Sequence, residues 1–365
     1  QLETQEELLR LVNDPQAAKR VDAVLKLIHV EQQLSTLVPA LGKILVDNDE
    51  LVRIAAGIVL NKIGPKGAEH LRALMESENV SDNAIACSAL KEMGGAHLYL
   101  PQIRKWLTSV NSETRKLGLF ALQGSKEGVL EVLQEVTDTL DDKDFNVACM
   151  ACRVLVKLGP DGIDAIPKLI ELRKTGIPSS RSWAAVALGA IGPNTEFDTA
   201  SYLAGTLDAF VYQEKQRSLE GLALMGPEAI SVADDVRDVM RDVKKRVMPE
   251  AAFALWRITG ETDEPIKVLS EALDNPDIVD QTIVLVGKMG AAAKPLVGRI
   301  STALTTGEAG LQEAAAIALG EIGPAAVEAI PALKSIAENP NLDGLIRYYA
   351  REAIEKIEGD RKPAN

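Results

Sequence analysis

Along most of the chain, apolar residues return at steps of three and four, and the runs end at glycine. In residues 47–64 (DNDELVRIAAGIVLNKIG), Val52, Ala55, Ala56, Val59, Leu60 and Ile63 share one face of a helix. Asp47 to Asp49 supply capping oxygens, Gly64 accepts a left-handed C-cap, and Pro65 stops continuation. The phrase Leu60 to Pro65 (LNKIGP) returns as LVKLGP at Leu155 to Pro160 and LGAIGP at Leu188 to Pro193. It appears again as LALMGP at Leu222 to Pro227 and LGEIGP at Leu319 to Pro324. Weaker copies end at Gly94, Gly124, Gly260 and Gly290, and the positions His29 and Glu358 continue the series at the two ends. The spacing between anchors is 30 to 35 residues, room for two helices and two short turns.

Within the second helix of each unit the pattern is positional. Four residues before the anchor stand Leu25, Leu60, Leu90, Phe120, Leu155, Leu188, Leu222, Trp256, Val286, Leu319 and Ile354. Eight before it the residue is small in most units, among them Ala56, Ala86, Ala151, Ala184, Ala252, Ala315 and Ala350. A large side chain one turn from a small one fills the interior while letting a neighbouring backbone approach. The first helix carries Val38-Pro39, Leu100-Pro101, Ile166-Pro167 or Ile330-Pro331, with Lys294-Pro295 similar. Such a proline either occupies the first helical turn or bends the helix. Neither helix of a pair can bury its face alone, so stacking must supply one continuous core. The expected fold is all-α: a right-handed α-solenoid, or α-α superhelix, of about ten to eleven helical hairpins over residues 1–358. Its irregular unit is expected near 194–213, and a polar tail over 359–365.

The phrase Leu319 to Pro324, followed by Ala329, Ile330, Pro331, Ala332 and Leu333, resembles HEAT repeats, specifically the short bacterial type related to phycobilisome-lyase repeats. Gly159-Pro160 with Ala165 to Leu169 is a second match. The resemblance implies an Asp–Arg pair around the second helix start. Asp49 with Arg53 fits it, Arg181 and Arg347 sit in comparable places, and Val279 and Ala148 break any continuous ladder. It says little about activity, since such repeats serve scaffolding, inhibition, lyase chemistry and enzyme appendages alike.

Composition narrows the function classes. Hydrophobic residues make up 46 % and aromatics 4 %, which suits packed Ala/Leu/Val helices. The net charge of −13 disfavours a nucleic-acid backbone or anionic membrane as partner. No run of 18 apolar residues predicts a membrane span. The chain begins at Gln1 without Met, which leaves a cytoplasmic placement and a periplasmic or secreted one after signal removal equally open.

Site chemistry is sparse. His29, His70 and His97 form no His-Glu pair, which removes the di-iron reading of HEAT-like deoxyhypusine hydroxylases, and no zinc spacing exists. Cys149 and Cys152 form a lone Cys-x-x-Cys, but Cys152 and Cys87 share a repeat position where small residues pack, so buried structural thiols are expected. Asp141, Asp142 and Asp144 could contact a cation, with capping as the simpler role. No cofactor, metal or catalytic residue is assigned.

Seven of the thirteen aromatics lie between Trp183 and Trp256. Trp256 replaces the Leu of the regular series and is expected in the core. Tyr202, Tyr212, Trp183 and Arg181 are the candidate partner-binding residues, against the plainer alternative that the rings fill gaps left by irregular repeats. The basic run Arg237, Arg241, Lys244, Lys245 and Arg246 is interleaved with Asp234, Asp235, Asp238 and Asp242, so cross-repeat ion pairs or a solvated face are expected. The functional expectation is a non-catalytic scaffold that binds a protein or peptide through its concave face. The alternatives are an accessory module of a larger secreted or periplasmic enzyme, and a direct enzyme such as a lyase or helical-repeat DNA glycosylase.

Overall fold

The computed structural model describes residues 5–27, 38–45, 47, 49–63, 65–77, 80–93, 95–193, 197–209, 211–242, 247–339, 341–342 and 344–359. All its elements are helical, and no strand occurs among the described residues. Contacts divide the chain into two compact units, Gln1–Ile191 and Gly192–Asn365. Each is a repeat-packed stack of helical hairpins, eleven in all among the described residues.

In the first unit the hairpins are α1 (Gln5–Leu11) with α2 (Ala17–Lys26), α3 (Val38–Ile44) with α4 (Glu50–Ile63), and α5 (Pro65–Glu76) with α6 (Val80–Met93). Then come α7 (Leu100–Leu107) with α8 (Ser112–Leu122), the broken pair α9 (Lys126–Glu131) and α10 (Leu133–Asp138) with α11 (Phe145–Leu158), and α12 (Ile166–Thr175) with α13 (Pro178–Ile191). The second unit pairs α14 (Thr199–Ala204) with α15 (Tyr212–Met225), α16 (Ala233–Arg241) with α17 (Met248–Thr259), and α18 (Asp263–Ala272) with α19 (Val279–Lys288). It ends with α20 (Val297–Thr306) against α21 (Ala309–Ile322) and α22 (Ile330–Glu338) against α23 (Gly344–Glu358). In each unit every second helix also packs on the second helix of the next hairpin, as α11 does on α13 and α21 on α23.

That second contact is where the small-then-large pattern acts. Ala56, Ala86, Ala151, Ala184, Ala252, Ala315 and Ala350 are all fully buried. So are Leu60, Leu90, Leu155, Leu188, Leu222, Val286 and Leu319 one turn later. Burying one such leucine is worth about 1.5–3 kcal/mol. Close approach shows directly at Gly287 in α19, where an added Cβ would stand 2.9 Å from the Ala318 Cα.

Four members of the large-residue series depart. Leu25 is 38 % exposed, and Phe120, Trp256 and Ile354 are half-buried. In α2, α8 and α17 the buried positions are instead Val24 and Leu27, Leu119 and Leu122, and Leu255 and Ile258. Trp256 is therefore not a core residue. At Trp256 the departure accompanies a different corner geometry. Gly323 holds φ +68° and ψ −142°, because the following proline forbids helical ψ at the residue before it. Gly260, followed by Glu261, relaxes to φ +74° and ψ −3°, an ordinary left-handed cap. At Gly124 and Gly260 the glycine lies one residue farther from the buried face, whereas before Gly290, which also lacks the proline, Val286 stays buried as in the Gly-Pro units. One residue is about 100° of helix rotation.

Three of the Gly-Pro corners open into seven-residue 3-10 segments rather than tight turns: Gly159–Ala165, Gly226–Val232 and Gly323–Ala329. The Ile-Pro marks resolve to helix starts, since Pro101, Pro167 and Pro331 occupy the first turns of α7, α12 and α22. Pro295 lies inside the 3-10 segment Gly290–Leu296. The apolar stretch Ala309–Glu338 is long enough by composition to cross a membrane, but the corner at Gly323 and the 3-10 segment after it break it into α-helices of 14 and 9 residues. Each half falls short of the roughly 20 residues a span needs.

The Asp–Arg motif takes a form that spans repeats. Arg20 makes a fork with both oxygens of Asp47 (2.8 and 2.7 Å), and Arg115 does the same with Asp142 (2.5 and 2.7 Å), in each case 27 residues ahead. Arg20, Arg53 and Arg115 each donate to a carbonyl six residues behind, those of Asp14, Asp47 and Ser109. The residue that pairs across repeats is thus Asp47, while Asp49 accepts from the Val52 N–H as a cap. Arg20 beside Asp47 holds that carboxyl below its ordinary value.

The first helix expected near Leu2 to Val12 is α1 over Gln5–Leu11, while Gly64, His29, Lys244 to Arg246 and the tail from Asp360 lie outside the described residues. Leu319→Ala is expected to cost about 2–5 kcal/mol in urea unfolding, as for a fully buried leucine facing a neighbouring helix. A loss below 1 kcal/mol would place Leu319 outside the shared core. Asp142→Ala is expected to cost about 1 kcal/mol, and a double-mutant cycle with Arg115→Ala should return most of it as coupling.

Candidate groove on the second helices

In the second unit, α15, α17 and α19 lie side by side, and the face they present carries a groove of about 590 Å³. Its apolar surface comes from Leu219, Ala223 and Leu224 of α15, Phe253 of α17, and Val284 and Leu285 of α19. Leu224 and Val284 are 45 % and 44 % exposed, so these side chains serve neither stacking face of their helices. Arg217, Glu220, Arg257 and Lys288 complete the walls, with Arg217 and Glu220 paired at 2.5 Å.

The N-terminal ends of the three helices close the groove with polar groups. The Gln216 Nε2 donates to the Glu250 Oε1 at 2.7 Å. The Tyr212 hydroxyl makes longer contacts with the Glu250 Oε1 (3.5 Å) and the Gln281 Oε1 (3.4 Å). Glu250 is 7 % exposed, and its Oε2 has no partner; nor does the buried Gln281 Nε2. Burial pushes the Glu250 carboxyl up from its usual value, with the bonds from its own backbone, Gln216 and Tyr212 pulling partly back.

The other end is cationic. The Arg257 Nε donates to the Ala223 carbonyl at 3.2 Å, and its guanidinium stands 5.9 Å from the Trp256 ring centre. Lys288 is exposed at the end of α19.

Of the sequence candidates, Tyr212 adjoins this groove, 36 % exposed at the start of α15. Tyr202 is half-buried on the short helix α14, its ring 5.1 Å from that of Phe197. Trp183 and Arg181 belong to α13 of the other unit, both half-buried. Arg153 stands 5.4 Å from the Trp183 ring centre, and the Arg181 carbonyl accepts from the Arg173 Nη1. The groove residues Gln216, Glu250, Gln281, Leu224, Val284 and Lys288 are new from the structure. Their one sequence signal is apolar residues outside the buried stripe, as in Leu222 to Met225, where three of four are large.

The remaining chemistry-bearing side chains have structural occupations. Cys87 and Cys152 are fully buried, and burial pushes both thiols up; Cys149 is half-buried and raised for the same reason. Asp144 caps α11, Asp142 holds Arg115, and Asp141 pairs with Lys168 at 2.9 Å. Arg237 reaches Asp234, Glu261 and Glu264, and Arg241 reaches Glu264, so these two members of the basic run form ion pairs, those with Glu261 and Glu264 across repeats.

Comparison with known proteins agrees on the fold. The family model for the PBS lyase HEAT-like repeat matches residues 311–339, which are α21, its corner and α22. No curated protein matches the chain. Among solved structures, the Kap95:Nup1 complex aligns over 96 % of this chain and 56 % of its own, at 13 % identity and TM-score 0.51. Yeast importin-β (Kap95p) aligns over 97 % and 57 %, at 13 % identity and TM-score 0.50. An engineered protein aligns over 97 % and 98 % at 21 % identity, with TM-score 0.41. The chain thus spans little more than half the length of the importin-β chains. The fold is a HEAT/ARM-type all-α repeat.

Glu250→Gln tests the buried carboxyl. A carboxyl raised in the folded state lends stability below its unfolded value and loses it as pH rises through the folded one. The variant's urea midpoint should therefore gain on the wild type steadily from pH 4 to pH 7. A difference independent of pH would show that the carboxyl is not desolvated.

Proposed function

We propose that this protein is a non-catalytic helical-repeat scaffold that binds a protein partner through the concave face formed by its second helices. The observation that carries the reading is the groove across α15, α17 and α19, where Leu224 and Val284 of separate second helices remain nearly half exposed and line one shared groove. Repeat stacks build extended surfaces of this kind because successive second helices present equivalent positions side by side. Tyr212 at the groove's end fits a rim contact, being an aromatic with a polar tip.

The test compares immobilised wild-type chain with the Leu224→Asp, Val284→Asp double variant in native extract, using cross-linking mass spectrometry to locate the contact. Both residues are surface-exposed, so the helical signal and unfolding transition should be unchanged. The reading expects a partner cross-linked to α15–α19 and its recovery reduced about tenfold by the double variant, a loss of about 1.4 kcal/mol. Recovery equal to wild type, or cross-links confined to first helices, would contradict it.

A further inference from the structure

The groove's two ends differ in chemistry, and that difference specifies an occupant. On α17, Glu250 and Arg257 stand seven residues apart, about 10 Å along the helix axis. At the Arg257 end, Arg257 and Lys288 have no ion-pair partner among the described residues, although the chain as a whole carries −13. The nearest groove acid, Glu220, is already held by Arg217. Charges farther away than about 8 Å are screened in physiological salt, so these two local cations, not the whole-chain charge, set the potential an incoming group meets.

At the opposite end, the buried Glu250 Oε2 lacks a donor and the buried Gln281 Nε2 lacks an acceptor. Leaving such groups unmet costs free energy. An N–H and a C=O offered together, as by a polypeptide main chain, would satisfy both. Tyr212, which covers Glu250 and Gln281 through long contacts and is 36 % exposed, is the side chain that yields to admit them. Between the ends, Leu224, Phe253 and Val284 offer an apolar floor.

We infer that the groove takes an acidic–apolar peptide segment of the partner protein: one or two large apolar side chains over Phe253, carboxylates on Arg257 and Lys288, and main chain on Glu250 and Gln281. This rests on the proposed scaffold function and adds the chemistry of what is bound. A small amphiphilic carboxylate fits the cationic end but offers nothing to the unpaired amide and carboxyl at the other.

The experiment uses the full chain and fluorescence anisotropy with three probes. These are a fluorescein-labelled octapeptide with a central leucine pair flanked by glutamates, the same peptide with lysines in place of glutamates, and labelled laurate. The expected result is saturable binding of the glutamate peptide, weakened by salt and at least about tenfold tighter than the lysine peptide or laurate. Lys288→Glu should weaken it severalfold, and Lys288→Glu with Arg257→Glu about tenfold or more, with the thermal transition of the exposed Lys288→Glu variant unchanged. Gln281→Leu, which leaves the charges intact, should weaken the peptide but not laurate. Equal binding of the lysine peptide, preferential binding of laurate, or affinity unmoved by the charge reversals would overturn the inference. If partner capture is lost in the Leu224→Asp, Val284→Asp variant yet the charge reversals leave it intact, the scaffold reading stands and the acidic-segment inference falls.

Discussion

The close approach of successive second helices is the constraint on which the rest depends. An alanine eight residues before the corner brings two backbones together, and a leucine one turn later fills the space beside them. Neither residue does this work without the other. Ala315 with a leucine's bulk would hold α21 away from its neighbours, and Leu319 cut to alanine would leave a cavity where they meet. Because each hairpin lends one face to the hairpin before it and another to the one after, the core of each unit extends by addition. The outward side of the same helices is then free to carry residues that stacking does not require. The groove on α15, α17 and α19 occupies that side.

The architecture was legible because its signals are local. Capping aspartates, a three-and-four apolar stripe and a Gly-Pro stop all act within one helix, and they recur often enough to count. The register was legible at the Gly-Pro corners and also before Gly94 and Gly290, where Leu90 and Val286 are buried, but it slipped by one residue before Gly124 and Gly260. Gly323 holds ψ −142° ahead of its proline while Gly260 relaxes to ψ −3°, and Trp256 is half-buried beside Arg257. The Asp–Arg motif was visible as residue types, but its partner lies 27 residues away in the next repeat, and sequence offered Asp49 where the structure uses Asp47 for the fork.

The groove was hardly legible at all. Glu250 and Gln281 look like ordinary surface residues of amphipathic helices, and only the lateral packing of three hairpins shields the Glu250 Oε2 and the Gln281 Nε2 from solvent. Aromatic density drew attention to Tyr202, Tyr212 and Trp183 instead. Tyr212 does border the groove, whereas Tyr202 packs on Phe197 and Trp183 lies in the other unit. Clustering in sequence brought together rings that the structure places on α13, α14, α15 and α17, not on one surface.

The account stands or falls on whether burial is shared hairpin by hairpin. Native-state hydrogen exchange on a Leu222→Ala variant tests this most directly, since Leu222 is fully buried in α15 and α15 packs on α17. The account predicts that protection falls in α14 to α17 while α21 to α23 retain wild-type values. An equal loss of protection throughout residues 192–359 would instead reveal a single cooperative globular core and contradict it.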